Sequence, residues 1–144
     1  MRVLVQRCDS ANVQVDNKIV GSINKGMMIL VGFTQTDTSE NIDYMVDKVL
    51  NLRIYDDEFG VMNKSILDTK GSILSVSQFT LYADTKKGRR PSYVNALNGE
   101  KSIILYDEFN KKLKEHIQVE TGVFGAEMKV ELINDGPVTI MLEK

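Results

Sequence analysis

Cysteine and histidine are almost missing from this 144-residue sequence, which contains one of each, Cys8 and His116. A single cysteine cannot form an internal disulfide, and one cysteine with one histidine cannot supply a zinc-binding cluster. A Ser–His–Asp triad is not expected either, because His116 falls at the edge of the buried stripe of a predicted helix. If the protein is an enzyme, its general base must come from somewhere other than the usual histidine.

Long apolar runs are missing as well, since no stretch approaches the ~20 residues that are needed to span a bilayer. Residues 1–7 carry a charge at Arg7 and lack a small-residue cleavage site, so we interpret them as a strand and not as a signal peptide. The expected location is therefore cytoplasmic.

The formal net charge of −2 argues against binding nucleic acid through overall charge. Any nucleic-acid contact would have to be local.

The composition that remains, 42% apolar and 26% charged residues, is typical of a globular protein. The length fits a single domain over residues 1–144. Apolar residues at helical spacing predict two long helices, at about 37–52 and about 101–118. Alternating or continuous apolar residues predict strands. The predicted strands cover about 3–15, 18–23, 27–33, 73–76, 128–133 and 138–142.

This order of elements predicts an α+β domain, with two main helices packed against a curved, barrel-like sheet of antiparallel or mixed strands. Asp16 and Asn17 are expected to form a two-residue hairpin turn, because both residue types tolerate positive φ. The opening third is expected to be a β-meander. Residues 134–137 are expected to turn the chain between the last two strands.

A polar segment follows the apolar run 73–76, and it consists of Ser77, Gln78, Phe79 and Thr80. If the strand continues, Ser77 and Phe79 face one side while Gln78 and Thr80 face the other. The segment is then either a strand leaving the core or a wall of hydrogen-bonding groups around a polar substrate. Thr80 as a nucleophile would need an adjacent base, so stabilisation of charge by N–H donors fits these residues better.

Four cations lie within five residues around Gly88, and we call residues 86–90 the cationic loop. Its members are Lys86, Lys87, Arg89 and Arg90. Such a run is either a solvated loop or a phosphate contact, and its position directly after the polar segment favours phosphate. The acidic run 56–58 is interpreted as a solvated turn, because a calcium loop would need further oxygen ligands at defined offsets.

The sequence has two prolines, Pro91 and Pro137, and each borders a polar motif. Gly136–Pro137 follows Asn134 and Asp135, which is a turn signal that needs no functional cause. An X–Pro bond is cis in only about 5–6% of folded cases, so the sequence alone does not determine its geometry.

These motifs together resemble the D-aminoacyl-tRNA deacylase family, and the resemblance runs over the whole chain. It is carried by MRVLVQR at the start, SQFTLYAD followed by KKGRRPS, VETGVFGAEMKVEL, and NDGPVT near the end. The two signature patterns, SQxT and NxGPVT, are intact and in order. An intact SQxT favours the D-specific branch over a related animal deacylase. Tyr93 stands where the family pattern suggests phenylalanine.

The resemblance implies an enzyme that hydrolyses the ester between a D-amino acid and the 3′ end of tRNA, without a metal or other cofactor. It implies a homodimer with a barrel-like β fold and active sites at the subunit interface. The Gly136–Pro137 bond is expected to be cis and to reach into the partner's site, where its carbonyl oxygens exclude an L side chain. Since glycine has no side chain to reject, glycyl-tRNA is expected to be hydrolysed too.

Roles for single residues follow from the same resemblance. Gln78 and Phe79 are expected to form the pocket floor beside Ser77, and Thr80 to position the substrate. The backbone around Phe79 and Thr80 would hold the oxyanion, while the tRNA 2′-hydroxyl assists attack. The remaining expected contacts are Asn134 of the motif, Arg7 holding the Gly–Pro segment, and Met128 packing on the terminal adenine.

Two other functions remain open at this point. The chain could be an RNA-binding module that holds aminoacyl-tRNA ends without hydrolysis, or a hydrolase that acts mainly on mischarged glycyl-tRNA.

Overall fold

The computed structural model describes residues 1–144, which form eight strands, three α-helices and one 3₁₀ turn. The strands are Arg2–Val15 (β1), Lys18–Ile23 (β2), Gly26–Gly32 (β3), Tyr55–Asp56 (β4), Met62–Lys64 (β5), Ser72–Ser77 (β6), Val119–Thr121 (β7) and Lys129–Glu143 (β8). The helices are Ser39–Asn51 (α1), Ile66–Thr69 (α2) and Gly99–Lys114 (α3), and the 3₁₀ turn is Phe79–Tyr82.

Strand β1 organises the main sheet, because it pairs along both of its edges. One edge pairs antiparallel with β8 over nearly its whole length. On the other edge, the first half of β1 pairs with β3 and the second half pairs with β2. Strands β6 and β7 then extend the sheet in parallel from β3. The sheet is therefore mixed and six-stranded.

The predicted α+β class with a barrel-like sheet is confirmed. The sheet curls until β2 and β7 nearly meet, since a side chain added at Gly21 would lie 2.9 Å from the carbonyl oxygen of Thr121. The predicted hairpin turn is also confirmed, with φ of 50° at Asp16 and 60° at Asn17. The predicted β-meander is wrong, because β3 returns to β1 and does not pair with β2.

Helices α1 and α3 pack on one face of the sheet, which confirms the prediction of two main helices packed against it. Helix α1 lies within its predicted range and buries Ile42, Met45 and Val49 in a core of 19 residues. Helix α3 begins earlier than predicted, because the Asn98 side chain caps it by accepting from Lys101 N at 3.1 Å. It ends at Lys114, so His116 lies beyond the helix and is exposed.

Successive residues of the central strands point into two different cores, which is why β3 is apolar throughout and β6 has consecutive apolar residues at Ile73 and Leu74. Met27, Ile29 and Ile73 join the core under the helices. Met28 and Leu74 join a smaller core inside the curl of the sheet. None of the helices has the length and apolar character that crossing a membrane requires.

The predicted turn at residues 134–137 is wrong, because β8 runs in one direction from Lys129 to Glu143. Gln6 pairs with Thr139 and Cys8 pairs with Asn134, so a single β1 residue, Arg7, lies opposite residues 135–138. We call residues 135–138 the bulge. The turn signal in the sequence marks a bulge within one strand here, because β8 pairs with β1 both before and after residues 135–138.

Candidate active site

The polar segment after β6 leaves the sheet instead of continuing it. Gln78 N donates to Val31 O at 2.7 Å, which is the last bond to β3. Since β3 ends at Gly32, the chain has no strand to pair with beyond this point, and it winds into the 3₁₀ turn. The predicted alternation of residues 77–80 across a strand is therefore wrong.

The 3₁₀ turn leaves two backbone donors free at its start. Leu81 N donates to Gln78 O and Ala83 N donates to Thr80 O. The N–H groups of Phe79 and Thr80 precede these and have no acceptor within the chain, as expected at the start of a helical turn. Both residues are exposed. The segment thus presents two adjacent N–H groups that can bind an oxygen atom of a ligand.

The hydroxyl of Thr80 is not set up as a nucleophile. Its Oγ1 accepts from Gln78 Nε2 at 2.6 Å, and no carboxylate or imidazole hydrogen-bonds to it. A hydroxyl attacks readily only beside a general base. The geometry gives Thr80 a role in orienting the Gln78 amide instead.

Gly32 allows the 3₁₀ turn to lie directly on the end of β3. A β-carbon at Gly32 would lie 2.8 Å from Gln78 O and 3.3 Å from Leu81 Cβ. Contacts that short with backbone force a displacement, so glycine is required for the observed position of the turn. No local sequence pattern singles out Gly32, because the contact joins residues 46 positions apart.

A cavity of about 600 Å³ opens beside this turn. Its walls come from the strand ends 31–33 and 76–79, the segment 93–102 and the segment 124–130. Ser77, Gln78, Phe79 and Met128, all predicted site residues, line it together. The volume lies within the range of pockets that enclose a small organic ligand. We call it the main cavity.

Phe124 lines the main cavity but was not predicted as a site residue. The centroid of its ring lies 5.7 Å from that of Tyr106, and this contact restrains the ring. Gly125 follows with φ of +76° and turns the chain towards Met128. The available signal was the Val–Phe–Gly run, since its glycine favours a turn and its apolar residues therefore lie outside a regular strand.

The mouth of the main cavity is aromatic and lies next to the cationic loop. Tyr93 and Phe79 contact each other edge to face, with ring centroids 5.0 Å apart. Asp84 and Ser92 exchange backbone hydrogen bonds of 2.8 and 2.9 Å and close the loop between them. All four predicted phosphate contacts, Lys86, Lys87, Arg89 and Arg90, are exposed on it.

The bulge is held by Asn134, the first residue of the NxGPVT motif. Its Nδ2 donates to Arg7 O at 2.9 Å and to Val138 O at 3.0 Å, while Thr139 Oγ1 donates to its Oδ1 at 3.2 Å. One amide therefore joins the two ends of the bulge to each other and also bonds to β1. This explains in physical terms why an asparagine and a threonine flank the Gly–Pro pair.

Arg7 supports the bulge from below. Its Nη1 donates to Ile54 O at 2.6 Å, and its Nε forms an ion pair with Asp135 Oδ2 at 2.8 Å. Only 8% of Arg7 is exposed. The guanidinium thus connects the bulge to the segment before β4, and it lies against Gly136, whose added β-carbon would be 3.4 Å from Nη2.

The Gly136–Pro137 peptide bond is cis, and both residues are exposed. They do not line the main cavity of their own chain, and neither do Arg7 and Asn134. The predicted site residues therefore fall into two separate places, the main cavity and the bulge.

The single cysteine does not act as a nucleophile beside the bulge. Burial raises the pKa of Cys8 to about 11, so the thiol stays protonated near neutral pH. Burial also raises the pKa of the neighbouring Tyr55 hydroxyl. Neither side chain can serve as a base at this position.

Comparisons with known proteins agree with the resemblance drawn from the motifs. A family model described as D-Tyr-tRNA(Tyr) deacylase matches residues 4–143. A D-aminoacyl-tRNA deacylase of Clostridium tetani (strain Massachusetts / E88) is 55% identical over 144 residues, covering 99% of this chain and 97% of the relative. Another, of Bacteroides fragilis (strain YCH46), is 57% identical over 145 residues, covering 99% and 97%.

Two solved structures share the fold. The c-Myc DNA unwinding element binding protein superposes with a TM-score of 0.95 at 38% identity, covering 100% of this chain and 99% of that chain. A probable eukaryotic D-amino acid tRNA deacylase gives 0.85 at 21% identity, covering 98% and 97%, and supports the fold alone. The suspected resemblance is confirmed. With the family model spanning nearly its whole length, the chain belongs to the D-Tyr-tRNA(Tyr) deacylase family.

Proposed function

We propose that the protein hydrolyses the ester bond that joins a D-amino acid to the 3′ end of tRNA. The observation that carries the proposal is the pair of free N–H groups at Phe79 and Thr80, at the mouth of a cavity of about 600 Å³. Two backbone donors on a rigid turn suit the oxyanion that forms when an ester carbonyl is attacked. Family membership and the names of the relatives support the same reaction.

The proposed reaction needs no side-chain base. A water oxygen bonds to the ester carbonyl carbon, and the carbonyl oxygen becomes an oxyanion held by the N–H groups of Phe79 and Thr80. The 2′-hydroxyl of the terminal adenosine accepts the water proton and passes one to the departing 3′-oxygen. The bond from the carbonyl carbon to that oxygen breaks, which releases the D-amino acid and tRNA. In this scheme Gln78 and Phe79 form the pocket floor beside Ser77, and Met128 packs on the adenine.

We also propose that selectivity comes from a second copy of the chain. Gly136 and Pro137 are exposed and lie outside their own cavity, so they are available to another protomer's site. Their carbonyl oxygens would bind the substrate amino group and exclude an L side chain. Rejection by backbone leaves the D side chain free, which would let many D-amino acids enter and glycine as well.

The remaining predicted residues have supporting roles in this scheme. Arg7 and Asn134 hold the bulge through the contacts described above. The cations of the loop would bind tRNA phosphates, where arginine can bind in a bidentate manner and lysine acts as a point charge.

Release of free amino acid from D-tyrosyl-, L-tyrosyl- and glycyl-tRNA tests this function directly. We expect hydrolysis of the D-tyrosyl and glycyl esters and none of the L-tyrosyl ester above the rate without protein. If tRNA is bound and no ester is cleaved, the chain is a binding module. If only glycyl-tRNA is cleaved, the enzyme edits mischarged glycine and not chirality.

The mass of the active species tests the proposed contribution of a second copy. Sedimentation at the assay concentration is expected to give twice the chain mass of 16.2 kDa. A monomer that hydrolyses D-tyrosyl-tRNA and rejects L-tyrosyl-tRNA would contradict the cross-subunit arrangement, while leaving the hydrolysis itself intact.

Replacing Thr80 with alanine is expected to slow hydrolysis only modestly. The change removes one hydrogen bond to the Gln78 amide, and a typical net value of about 1 kcal/mol corresponds to roughly a fivefold loss in kcat/KM. Removing a true nucleophile would cost about 10⁶-fold in kcat. Single-turnover rates of Thr80→Ala separate the two cases. Thr85→Ala, at an exposed threonine five residues away, is the matched control.

A further inference from the structure

Two aromatic rings stand at the mouth of the main cavity with much of their surface in water. Phe79 is 55% exposed and Tyr93 is 41% exposed. Their centroids are 5.0 Å apart with an interplanar angle of 70°, so each ring restrains the other. An aromatic pair that is fixed in place but not buried in a core offers a surface for a flat ligand group.

The cationic loop ends directly beside this pair. The backbone bonds between Asp84 and Ser92 close the loop, and Lys86 N is held further by Asp84 Oδ1 at 2.9 Å. Tyr93 is the next residue after Ser92. The closure therefore fixes the start of the segment that carries Tyr93 to the base of the loop that carries the four cations.

We propose that the Phe79–Tyr93 pair is a stacking platform for the nucleobase that precedes the terminal adenosine of tRNA. The inference rests on the proposed function, which places that adenosine in the main cavity. Single-stranded nucleic acid is bound by aromatic side chains that stack on bases and by cations that contact the phosphates. Only one phosphate separates neighbouring nucleosides, so the preceding base emerges at the mouth of the cavity, between the rings and the cationic loop.

The other possible occupant of the platform is the amino-acid side chain of the substrate. The two occupants can be distinguished by comparing two model esters. A side-chain contact acts equally on a D-tyrosyl ester of adenosine and on a D-tyrosyl ester of the trinucleotide CCA. A contact with the preceding base acts on the trinucleotide alone.

The test compares kcat/KM for these two esters. The wild-type protein is expected to prefer the trinucleotide, and Tyr93→Leu is expected to reduce that preference by about tenfold, the usual scale for loss of one stacked base. Tyr93→Phe keeps a ring and is expected to retain the preference. Tyr44→Leu, at a tyrosine of 42% exposure on α1, is the matched control and is expected to change neither ester.

Failure of the platform and failure of the proposed function give different results. If the wild type cleaves both esters with equal kcat/KM, the platform is overturned and the hydrolase function stands. The platform is also overturned if Tyr93→Leu slows both esters equally, since the ring then contacts the aminoacyl-adenosine. If the wild type cleaves neither these esters nor D-tyrosyl-tRNA, the proposed function fails and the platform fails with it.

Discussion

Replacing Gly32 with alanine is expected to lower kcat/KM for D-tyrosyl-tRNA by about 100-fold, the scale on which misplacing reacting groups by about 1 Å slows enzymes. The new β-carbon would lie 2.8 Å from Gln78 O, 3.3 Å from Leu81 Cβ and 3.4 Å from a ring carbon of Tyr82. Gln78 would have to move, and Leu81 in the turn would have to give way by a few tenths of an ångström. The free N–H groups of Phe79 and Thr80 belong to that turn, so they would move off the oxyanion.

The loss is expected in the chemical step more than in binding. Walls of the main cavity that come from the segments 93–102 and 124–130 do not contact Gly32 closely. Removing one oxyanion donor typically costs 10²–10³ in kcat. Single-turnover rates at saturating enzyme therefore report the effect, with circular dichroism to show that the sheet is intact. Gly32 is the last residue of β3, so most of the strand pairing does not depend on it.

Gly99→Ala is the matched control for this substitution. Gly99 also lines the main cavity, and a β-carbon there would meet no heavy atom within 4 Å. It is the first residue of α3, where alanine is a better helix former than glycine. We expect equal or higher thermal stability and a much smaller loss of activity than in Gly32→Ala, because no part of the protein has to move to accept the β-carbon. If Gly32→Ala kept wild-type rates with the fold intact, the backbone of the 3₁₀ turn would not be the oxyanion site.

The contrast between these glycines shows what the sequence could predict. The fold class, the helix α1 and the turn at Asp16 and Asn17 each depend on residues close in sequence, and all three were predicted. The contact of Gly32 with Gln78 joins two strand ends that only the parallel pairing of β3 with β6 brings together. Nothing within either segment specifies that pairing.

The same reason explains the two structural errors at the predicted site. Gln78 was assigned to a strand because the residues before it have strand character, yet a strand ends where its neighbour ends. Asn134 was assigned to a turn because Asn–Asp–Gly–Pro is a turn signal, yet β1 lies alongside and re-pairs with the chain after the bulge. In both places a partner strand that is distant in sequence decides the local structure.

Replacing Asn134 with alanine is expected to weaken rejection of L-amino acids by about 10- to 100-fold. The side chain donates to the carbonyl oxygens of Arg7, on β1 opposite the bulge, and of Val138, at the end of the bulge, at 2.9 and 3.0 Å. Leaving such groups without partners costs about 1–3 kcal/mol, and each 1.4 kcal/mol corresponds to a factor of ten. The bulge is expected to become mobile to avoid this cost in free energy. Gly136 and Pro137 would then lose the fixed position from which they exclude an L side chain.

The measurement is the ratio of kcat/KM for D-tyrosyl-tRNA to that for L-tyrosyl-tRNA. We expect the ratio to fall mainly because the L ester begins to be cleaved, since Asn134 does not line the main cavity where the ester reacts. Asn12→Ala is the matched control. Asn12 also spans β1 and β8, donating to Glu131 Oε2 at 3.1 Å, but it lies outside the bulge. Its removal is expected to leave the ratio unchanged.

The direction of the change in Asn134→Ala distinguishes a steric role for the bulge from a catalytic one. A group that only excludes the L side chain gives up selectivity when it becomes mobile, and the rate on glycyl-tRNA, which has nothing to exclude, stays close to wild type. A group that takes part in the chemical step would lower the rates on D-tyrosyl- and glycyl-tRNA together, and L-tyrosyl-tRNA would still not be cleaved. Equal losses on the D-tyrosyl and glycyl esters with no gain on the L-tyrosyl ester would therefore overturn the chiral role of Gly136 and Pro137, while the hydrolase function at Phe79 and Thr80 would still stand.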